Sequence, residues 1–345
     1  MIADSYVAEI ADAARSVLER EAPSDAILPR LRSQPISLRV WKAAAEVGWF
    51  RVLTDEAAGG LAGGGPEVAA LFREIGRHLP AGPFVETVVA AGLIRNQADL
   101  GPDERVITFG RLATKAPVES TASVSGRADF VEHAEQSGLL LLRVELGGGP
   151  AIAAVDSTAA GVAIRPQPSF DLVGRPAQVE LEGAAIEVLE QGEEAGRLLA
   201  RIDAMTIVAH AGTLAGIAAE VLDMSVQYAK DRVQFDKPIG AFQAVQHRLA
   251  EMAVARAAIE SSLGAAVALA GASPPDLVRL RAMHSLAAEL ARDVVLSALQ
   301  VHGGIGFTDE HRLHVYLKRT LRLQALAELA DPLAAIGADL LETRR

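Results

Sequence analysis

Apolar residues recur every three or four positions near the start of the chain, at Tyr6, Ile10, Ala13, Val17 and Leu18. The same spacing runs from Leu38 to Phe50 and from Glu67 to His78, and it indicates amphipathic helices. Proline residues end the last of these stretches, and Gly101-Pro102-Asp103 reads as a turn. The pattern predicts a helical N-terminal domain over residues 1–104.

The periodicity changes at Arg105, where short aliphatic and β-branched runs are separated by Gly, Pro, Ser and Asp. These runs are Val106–Phe109, Ala128–Val131, Leu139–Val144, Ala151–Val155 and Val179–Leu181. They predict a small sheet or barrel over residues 105–193. Gly147-Gly148-Gly149-Pro150 lies between two of them and is interpreted as a hairpin loop rather than a phosphate-binding loop.

Long, alanine-rich helical patterns occupy the remainder of the chain, over Arg197–Arg232, Phe242–Ala270 and Pro274–Val301. A short loop from His302 to Gly306 leads into further helical sequence. Long helices joined by short loops favour an up-down bundle, so we expect a four-helix bundle over residues 194–345. The predicted fold class is therefore α+β, with a small central β domain between two helical domains.

Composition narrows the possible functions. Half of the 345 residues are hydrophobic but only 4% are aromatic, which favours packed helices with aliphatic cores. The net charge of -11 argues against nucleic-acid binding. The absence of cysteine excludes thiolate chemistry, and the eight histidines form no H-x-x-x-H or H-E-x-x-H pair, so we predict no metal site. No signal peptide and no uninterrupted membrane-spanning run is evident, and a cytoplasmic protein is expected.

Two segments of the predicted bundle carry candidate chemistry. In the first, from Arg232 to His247, an arginine and side-chain amides flank a Pro/Gly turn at a helix start, where they could hold a pyrophosphate. The alternative is a turn whose arginine pairs with a carboxylate. In the second, from Gln300 to Thr308, paired glycines allow close approach of a ligand, although they could also be an ordinary break between helices.

Taken together, the two segments resemble the flavin-contacting signatures of the acyl-CoA dehydrogenase family. The family patterns read approximately R-x-Q-F-x-x-P-I-x-x-F-Q-x-x-Q and Q-x-x-G-G-x-G-[FY], and both occur here in the family's order. The stretch from Trp41 to Leu53, VLTDEAAGGLAGG and AALFREIGRHLPAGPF resemble the family's N-terminal domain. The resemblance thus covers nearly the whole chain.

This resemblance implies that the cofactor is FAD, bound in an extended conformation at a subunit interface. It implies pyrophosphate contacts by Arg232 and Gln234, and contacts to adenine or its linker by Phe242 and Gln243. The groove for the adenosine diphosphate would be lined by Gln300, His302, Gly303 and Gly304. All of these residues would belong to the half-site that one chain presents to its neighbour.

The sequence departs from the family pattern in two places. The flavin-ring stretches T-E-P-x-x-G-S-D and W-[IL]-[ST] have no counterpart in Gly110 to His133, which reads GRLATKAPVESTASVSGRADFVEH. The family's catalytic glutamate positions fall near Ala327 and Thr206. Glu328 is one residue away, which turns its side chain by about 100° on a helix and leaves it a weak candidate for the base.

We therefore interpret the chain as the short subunit of a bacterial heteromeric, α2β2-type enzyme of lipid or steroid degradation. It would dehydrogenate an acyl-CoA thioester, such as a steroid side-chain acyl-CoA, with a second, longer acyl-CoA dehydrogenase subunit and an electron-transfer acceptor protein as partners. No nucleic acid or membrane partner is expected. The alternatives are a self-sufficient homo-oligomeric dehydrogenase, a non-catalytic structural subunit, and a flavin monooxygenase on the same fold.

Overall fold

The computed structural model describes residues 2–96, 98–114 and 122–328. Its α-helices are α1 Ile2–Glu21, α2 Ile27–Ser33, α3 Leu38–Glu46, α4 Gly65–His78, α5 Gly92–Ile94, α6 Gly192–Asp231, α7 Gln243–Ala270, α8 Leu277–His302 and α9 Leu313–Glu328. Its strands are β1 Ile107–Arg111, β2 Ser123–Glu132, β3 Leu139–Leu146, β4 Gly149–Asp156, β5 Val162–Pro166, β6 Pro176–Ala185, β7 Glu187–Gln191, β8 Val233–Gln234 and β9 Lys237–Pro238. The predicted order of a helical part, a β part and a second helical part is confirmed.

The described residues form two compact units. One comprises residues within Met1–Pro29, Gly65–Leu79 and Ile207–Arg345, and the other comprises residues within Arg30–Gly64 and Pro80–Thr206. Helices α1 and α4 therefore pack with the C-terminal helices instead of with the rest of the N-terminal segment. The division at residues 104 and 193 follows the order of elements along the chain and stays a prediction.

The helical unit is built around α6, whose residues from Val208 to Val221 are nearly all buried. Helix α4 approaches α6 so closely that only glycine fits at the contacts. A Cβ added to Gly76 would overlap the carbonyl oxygen of Thr213, and one added to Gly216 would overlap that of Arg73. This close approach fixes the position of α6, which ends directly before the first candidate segment.

Two helices of this unit are long and apolar enough, by length and composition alone, to cross a membrane. The most apolar window of α6 is 83% buried, as befits a core helix, whereas that of α7 is only 28% buried. On α7 the exposed residues include Val254, which is 71% exposed. Helix α7 thus carries an apolar face that the described part of this chain does not cover.

The β unit contains two sheets, with strand orders β1-β3-β4-β7 and β2-β6-β5. Strand β1 is parallel to β3, and the other pairings are antiparallel. Aliphatic side chains form the core that both sheets share, among them Leu140, Leu142, Val155, Val179 and Leu181. Each predicted run overlaps one of the strands β1, β2, β3, β4 and β6.

The predicted hairpin loop is also confirmed. Strands β3 and β4 pair from Leu139–Asp156 to Leu146–Gly149, so Gly147 and Gly148 form the connection. Their φ angles are +58° and +81°, which is the backbone that a two-residue hairpin turn of this twist requires at both central positions. Glycine adopts these angles without the steric cost that a Cβ imposes.

Strands β5 and β7 and a π-helical turn at Glu86–Ala91 were not predicted. Both strands are short and lie at sheet edges, where side chains are partly exposed and apolar alternation is weak. The π-helical turn lies within an apolar stretch that also suits an ordinary helix. Its position is associated with a bond from the Thr87 hydroxyl to the carbonyl oxygen of Ile107, at 2.7 Å.

Candidate functional site

The first candidate segment is a tight hairpin between α6 and α7. Strands β8 and β9 pair through Val233–Pro238 and Gln234–Lys237, and Phe235 and Asp236 form the turn. Both turn residues have positive φ, +53° and +61°. Such conformations cost non-glycine residues on the order of 1–3 kcal/mol each and tend to cluster at functional sites. The strained turn holds the Phe235 side chain 86% exposed.

Arg232 and Lys237 lie at the two sides of this hairpin, and Asp236 lies in its turn. Arg232 is exposed, and within the part of the chain that the structure describes no carboxylate lies at ion-pair distance from it. The Nζ atom of Lys237 lies 4.3 Å from the ring centroid of Phe242. The rings of Phe235 and Phe242 meet edge to face at 6.1 Å. The first alternative, an arginine held by a carboxylate, therefore finds no support among the described residues.

Helix α7 begins at Gln243 without a side-chain cap and without an acidic residue in its first turn. The N–H groups of Val245 and Gln246 both bond to the carbonyl oxygen of Phe242. The Gln246 amide donates to the carbonyl oxygen of Gly240 at 2.9 Å, and that of Gln234 donates to Val233 at the same distance. The positive end of a 28-residue helix thus opens beside Arg232, an arrangement that favours an anion.

The second candidate segment follows the end of α8 at His302 as a 3-10 turn, Gly303–Phe307. Gly303 has φ +62° and ψ −141°, a conformation open essentially only to glycine. A Cβ on Gly303 or Gly304 would meet no atom within 4 Å, whereas one on Gly306 would lie 3.1 Å from His302 Cβ. Gly303 is therefore required by backbone geometry and Gly306 by packing, while Gly304 faces open space.

A groove of about 350 Å³ lies between α7, α8 and this turn. It is lined by Arg248, Asp293, Leu296, Ser297, Leu299, Gln300 and Phe307. Arg248 is exposed and also has no carboxylate at ion-pair distance among the described residues, while Asp293 is paired with Arg292 at 3.1 Å. The groove brings Gln300 of the second segment beside α7, which begins in the first segment.

His302 does not face this groove, because its ring is only 4% exposed. Its Nδ1 lies 2.8 Å from the carbonyl oxygen of Ala298 and must donate to it, which leaves Nε2 unprotonated. Burial lowers the pKa of His302 below its ordinary value, and Arg312 lowers it further. The ring stacks on Tyr228 of α6 at 4.4 Å. His302 thus supports the glycine turn from beneath, and a direct cofactor contact stays a prediction.

The candidate base lies at the end of the last described helix. Glu328 is the final residue of α9, and its side chain lies outside the described part of the chain. Ala327 beside it is 2% exposed, and Thr206 on α6 is half-buried. A role for Glu328 as the base therefore stays a prediction.

The β unit presents an exposed aromatic residue that the sequence pattern did not reveal. Phe130 on β2 has φ +57° and is 61% exposed, at a bulge between Ala128 and Val131. Its N–H donates to the side-chain oxygen of Gln167 at 2.7 Å, which holds the bulge. Strand alternation predicts a core position for it, because the bulge that turns it outward leaves no signal in the hydrophobic pattern. Residues 115–121 of the segment that lacks the ring stretches lie outside the described residues.

Comparison with known proteins bears on the identity of this arrangement. Residues 204–327, which include both candidate segments, match the family model for the acyl-CoA dehydrogenase C-terminal domain. The curated relative FadE34, an acyl-CoA dehydrogenase of Mycobacterium tuberculosis, is 32% identical over 290 residues, which is 81% of this chain. The chain belongs to the acyl-CoA dehydrogenase family. It spans about two fifths of the length of FadE34, since the match covers 39% of that protein.

Solved structures of the family have the same fold over nearly the whole chain. A variant of the Tcur3481-Tcur3483 steroid ACAD superposes with a TM-score of 0.85 at 24% identity, covering 99% of both chains. The ChsE4-ChsE5 complex from Mycobacterium tuberculosis gives 0.81 at 22% identity over 97% of both chains. The expected acyl-CoA dehydrogenase fold is confirmed, and the roles of the hairpin and the glycine turn stay predictions.

Proposed function

We propose that this chain is a subunit of a flavin-dependent acyl-CoA dehydrogenase and that it presents the surface between Arg232 and Gly304 to the diphosphate and adenosine of FAD. The observation that carries the proposal is an exposed arginine with no carboxylate at ion-pair distance among the described residues, beside an uncapped helix start. Both features stabilise a bound anion. Their combination gives this acidic chain a local site for a diphosphate.

The surface fits the cofactor in shape and in charge. Arg232, Lys237 and Arg248 provide three cations, and Asp293, the acidic residue lining the groove, is already paired with Arg292. The exposed ring of Phe235 and the half-buried ring of Phe242, which Lys237 approaches, supply aromatic faces next to the cations. Gly304 leaves room for close approach of a ligand. We assign the diphosphate to Arg232, Gln234 and the start of α7, and the adenosine to Gln300 and the Gly303-Gly304 turn.

In the proposed reaction, bound FAD would accept the hydride from the β-carbon of the acyl-CoA, and a carboxylate would accept the α-proton. The residues of this chain described above bind and orient. The Arg232 guanidinium donates to phosphate oxygens, and the helix start adds backbone N–H groups. A charge-assisted bond of this kind contributes about 1.5–3 kcal/mol, roughly ten- to over a hundredfold in affinity.

The partner is proposed to be a longer acyl-CoA dehydrogenase-type chain that supplies the flavin-ring side and the base. The support is the absence of the ring stretches here and the uncovered face of α7. Along that face, exposed small residues recur at spacings of three and four, at Ala250, Val254, Ala257, Ser261, Gly264 and Ala268. Small residues at this spacing allow a second helix to pack closely. The ChsE4-ChsE5 complex is a precedent for such pairing in this fold, and we propose a steroid-type acyl-CoA as the substrate.

The test is the flavin content of the chain alone and of the chain co-expressed with a candidate longer acyl-CoA dehydrogenase-type partner chain. We expect little FAD in the first sample and stoichiometric FAD in the second, measured by flavin absorbance after gel filtration. Arg232→Ala should lower FAD affinity of the complex by about ten- to a hundredfold. Arg201→Ala is the matched control, because Arg201 is equally exposed and unpaired among the described residues but lies near the other end of α6.

A stoichiometric yellow homomer would replace the heteromer with the self-sufficient alternative. Equal FAD affinity in Arg232→Ala and wild type would show that the hairpin is only a structural turn. A complex that forms but holds no FAD would favour the non-catalytic structural subunit.

A further inference from the structure

The two cofactor segments are joined beneath the surface by a stack of aromatic rings. Tyr228 lies on the last turn of α6, four residues before Arg232, and its ring stacks on that of His302 with centroids 4.4 Å apart and planes at 26°. His302 ends α8, directly before Gly303. One ring contact therefore connects the helix end that carries Arg232 to the helix end that carries the glycine turn.

A third ring contacts His302 beyond the turn and is tilted by 51° relative to it. The His311 ring lies 4.8 Å from that of His302, and its Nδ1 accepts from the N–H of Leu313 at 3.3 Å, which places the ring proton on Nε2. The 3-10 turn between them packs inward at Gly306. A Cβ added to Gly306 would lie 3.1 Å from the Cβ of His302 and 3.2 Å from the carbonyl oxygen of Leu299, so only glycine fits there without a shift. The stretch from Gly303 to Thr308 is thus held at both ends by histidine rings.

The charged and titratable groups around this stack are few. Arg312 faces both histidines, and it also approaches Glu220 of α6 at 3.5 Å and the Ser24 hydroxyl at 3.3 Å. His314 faces His311 and contacts its carbonyl oxygen through Nδ1 at 2.8 Å. The Tyr228 hydroxyl is the titratable group on the opposite side. Among the described residues, the fixed charge that acts on both histidines is that of Arg312, and no carboxylate contributes to the pKa shift of either ring.

We propose that Tyr228, His302 and His311 are positioning residues that lock the Arg232 and Gly303-Gly304 sides of the cofactor surface into one geometry, and that the neutral state of the two histidines is required to retain the cofactor. The inference rests on the proposed function, because it concerns the same FAD surface. Acidification places cations on the rings that face Arg312, loosens the turn and releases FAD.

The direction of the titration agrees with this geometry. Burial is the main cause that lowers the pKa of both histidines, and for His311 the value falls to about 4, with His302, Arg312 and His314 contributing. A lowered folded-state pKa means that the unfolded or opened turn binds protons first. The stabilisation by the neutral rings is complete above about pH 6.5 and is lost as the pH falls from there towards 4.

The experiment measures bound FAD per complex between pH 8 and pH 4.5, together with the melting temperature, in variants that separate ring stacking from titration. Tyr228→Phe keeps the ring and should retain FAD, whereas Tyr228→Leu should weaken FAD binding at least about tenfold at pH 7.5. His311→Phe keeps a ring but removes its proton chemistry, so the loss of FAD should shift to lower pH. Leu280→Ala is the control for general destabilisation, because Leu280 is fully buried on α8 but lies more than twenty residues before the stack.

Proportional losses of FAD and melting temperature in Tyr228→Leu and Leu280→Ala would overturn the positioning role. An unchanged pH profile in His311→Phe would overturn the titration. A wild-type complex without FAD at any pH would refute the proposed function instead. In that case the stack is still tested on the chain alone by histidine-selective NMR, where titration of the His302 and His311 rings near the ordinary pKa of about 6.5 would overturn the inference.

Discussion

Substitutions at the two adjacent glycines after α8 should affect cofactor binding and chain stability separately. Gly304 has no positive φ, and a Cβ placed on it would meet no atom of the chain within 4 Å. Gly304→Val should therefore change the melting temperature of the cofactor-free chain very little. If FAD approaches the turn here, the added side chain overpacks that contact at a cost of about 1–3 kcal/mol, which is roughly a five- to 150-fold loss of affinity.

Gly303→Val introduces the same side chain one residue earlier, and here we expect the melting temperature of the chain itself to fall. A Cβ on Gly303 also meets open space, but its φ of +62° is strained for a β-branched residue. A strain of about 1–3 kcal/mol lowers the melting temperature by roughly 2–12 °C in a unit of this size, with or without FAD. The assay is thermal unfolding of the chain alone, followed by FAD titration of the assembled complex using quenching of flavin fluorescence.

The result that refutes this reasoning is wild-type FAD affinity in Gly304→Val. The turn would then be ordinary helix-to-helix packing, and the adenosine side would have to lie elsewhere. A large loss of melting temperature in Gly304→Val would contradict the open space seen around it.

The remaining predictions concern the base, the core and pH. Glu328→Gln should leave most of the turnover of the assembled enzyme intact, because loss of a true base costs at least about a hundredfold; a drop of that size at unchanged FAD content would place the base on this chain. Gly76→Ala should lower the melting temperature clearly, since its Cβ overlaps α6 backbone, whereas Gly264→Ala, which meets nothing within 4 Å, should be neutral or slightly stabilising; equal effects would contradict the close helix packing. The rings of His210 and His284 lie 5.3 Å apart, and burial lowers the pKa of His284 to about 4. Because the unfolded chain binds the proton first, this site should lower the free energy of unfolding by up to about 3 kcal/mol as the pH falls from 6.5 to 4. In denaturant titrations, the free energy of unfolding of His284→Met should depend less on pH over this range.

The hydrophobic pattern was sufficient for those parts of the fold that bury a continuous apolar face. The long α6 and α8 and the strands β3 and β4 fall where it placed them, because their side chains pack along most of their length. The pattern was insufficient at sheet edges, where β5 and β7 are partly exposed. Compact units also could not be inferred, since the packing of α4 against α6 depends on glycine contacts between positions far apart in the chain.

The sequence predicted the two segments of the candidate site, but it did not predict how their side chains are arranged in space. Motif spacing located Arg232 and Gly303-Gly304, yet it gave no indication that His302 is buried and stacked on Tyr228. It also did not reveal that Phe235 and Phe130 are exposed, because exposure of an aromatic residue through a positive φ depends on backbone conformation and not on residue order. Such residues become visible only when strained turns are examined in three dimensions.

The uncovered face of α7 should affect the solubility and turnover of copies of the chain that lack a partner. A copy synthesised without a chain to cover that face exposes Val254 and its small neighbours to water, and Phe235 is exposed as well. Exposed apolar surface of this kind promotes self-association and recognition by chaperones and proteases. If a partner chain covers α7 as proposed, we expect copies made in excess of that partner to be less abundant than copies in the complex.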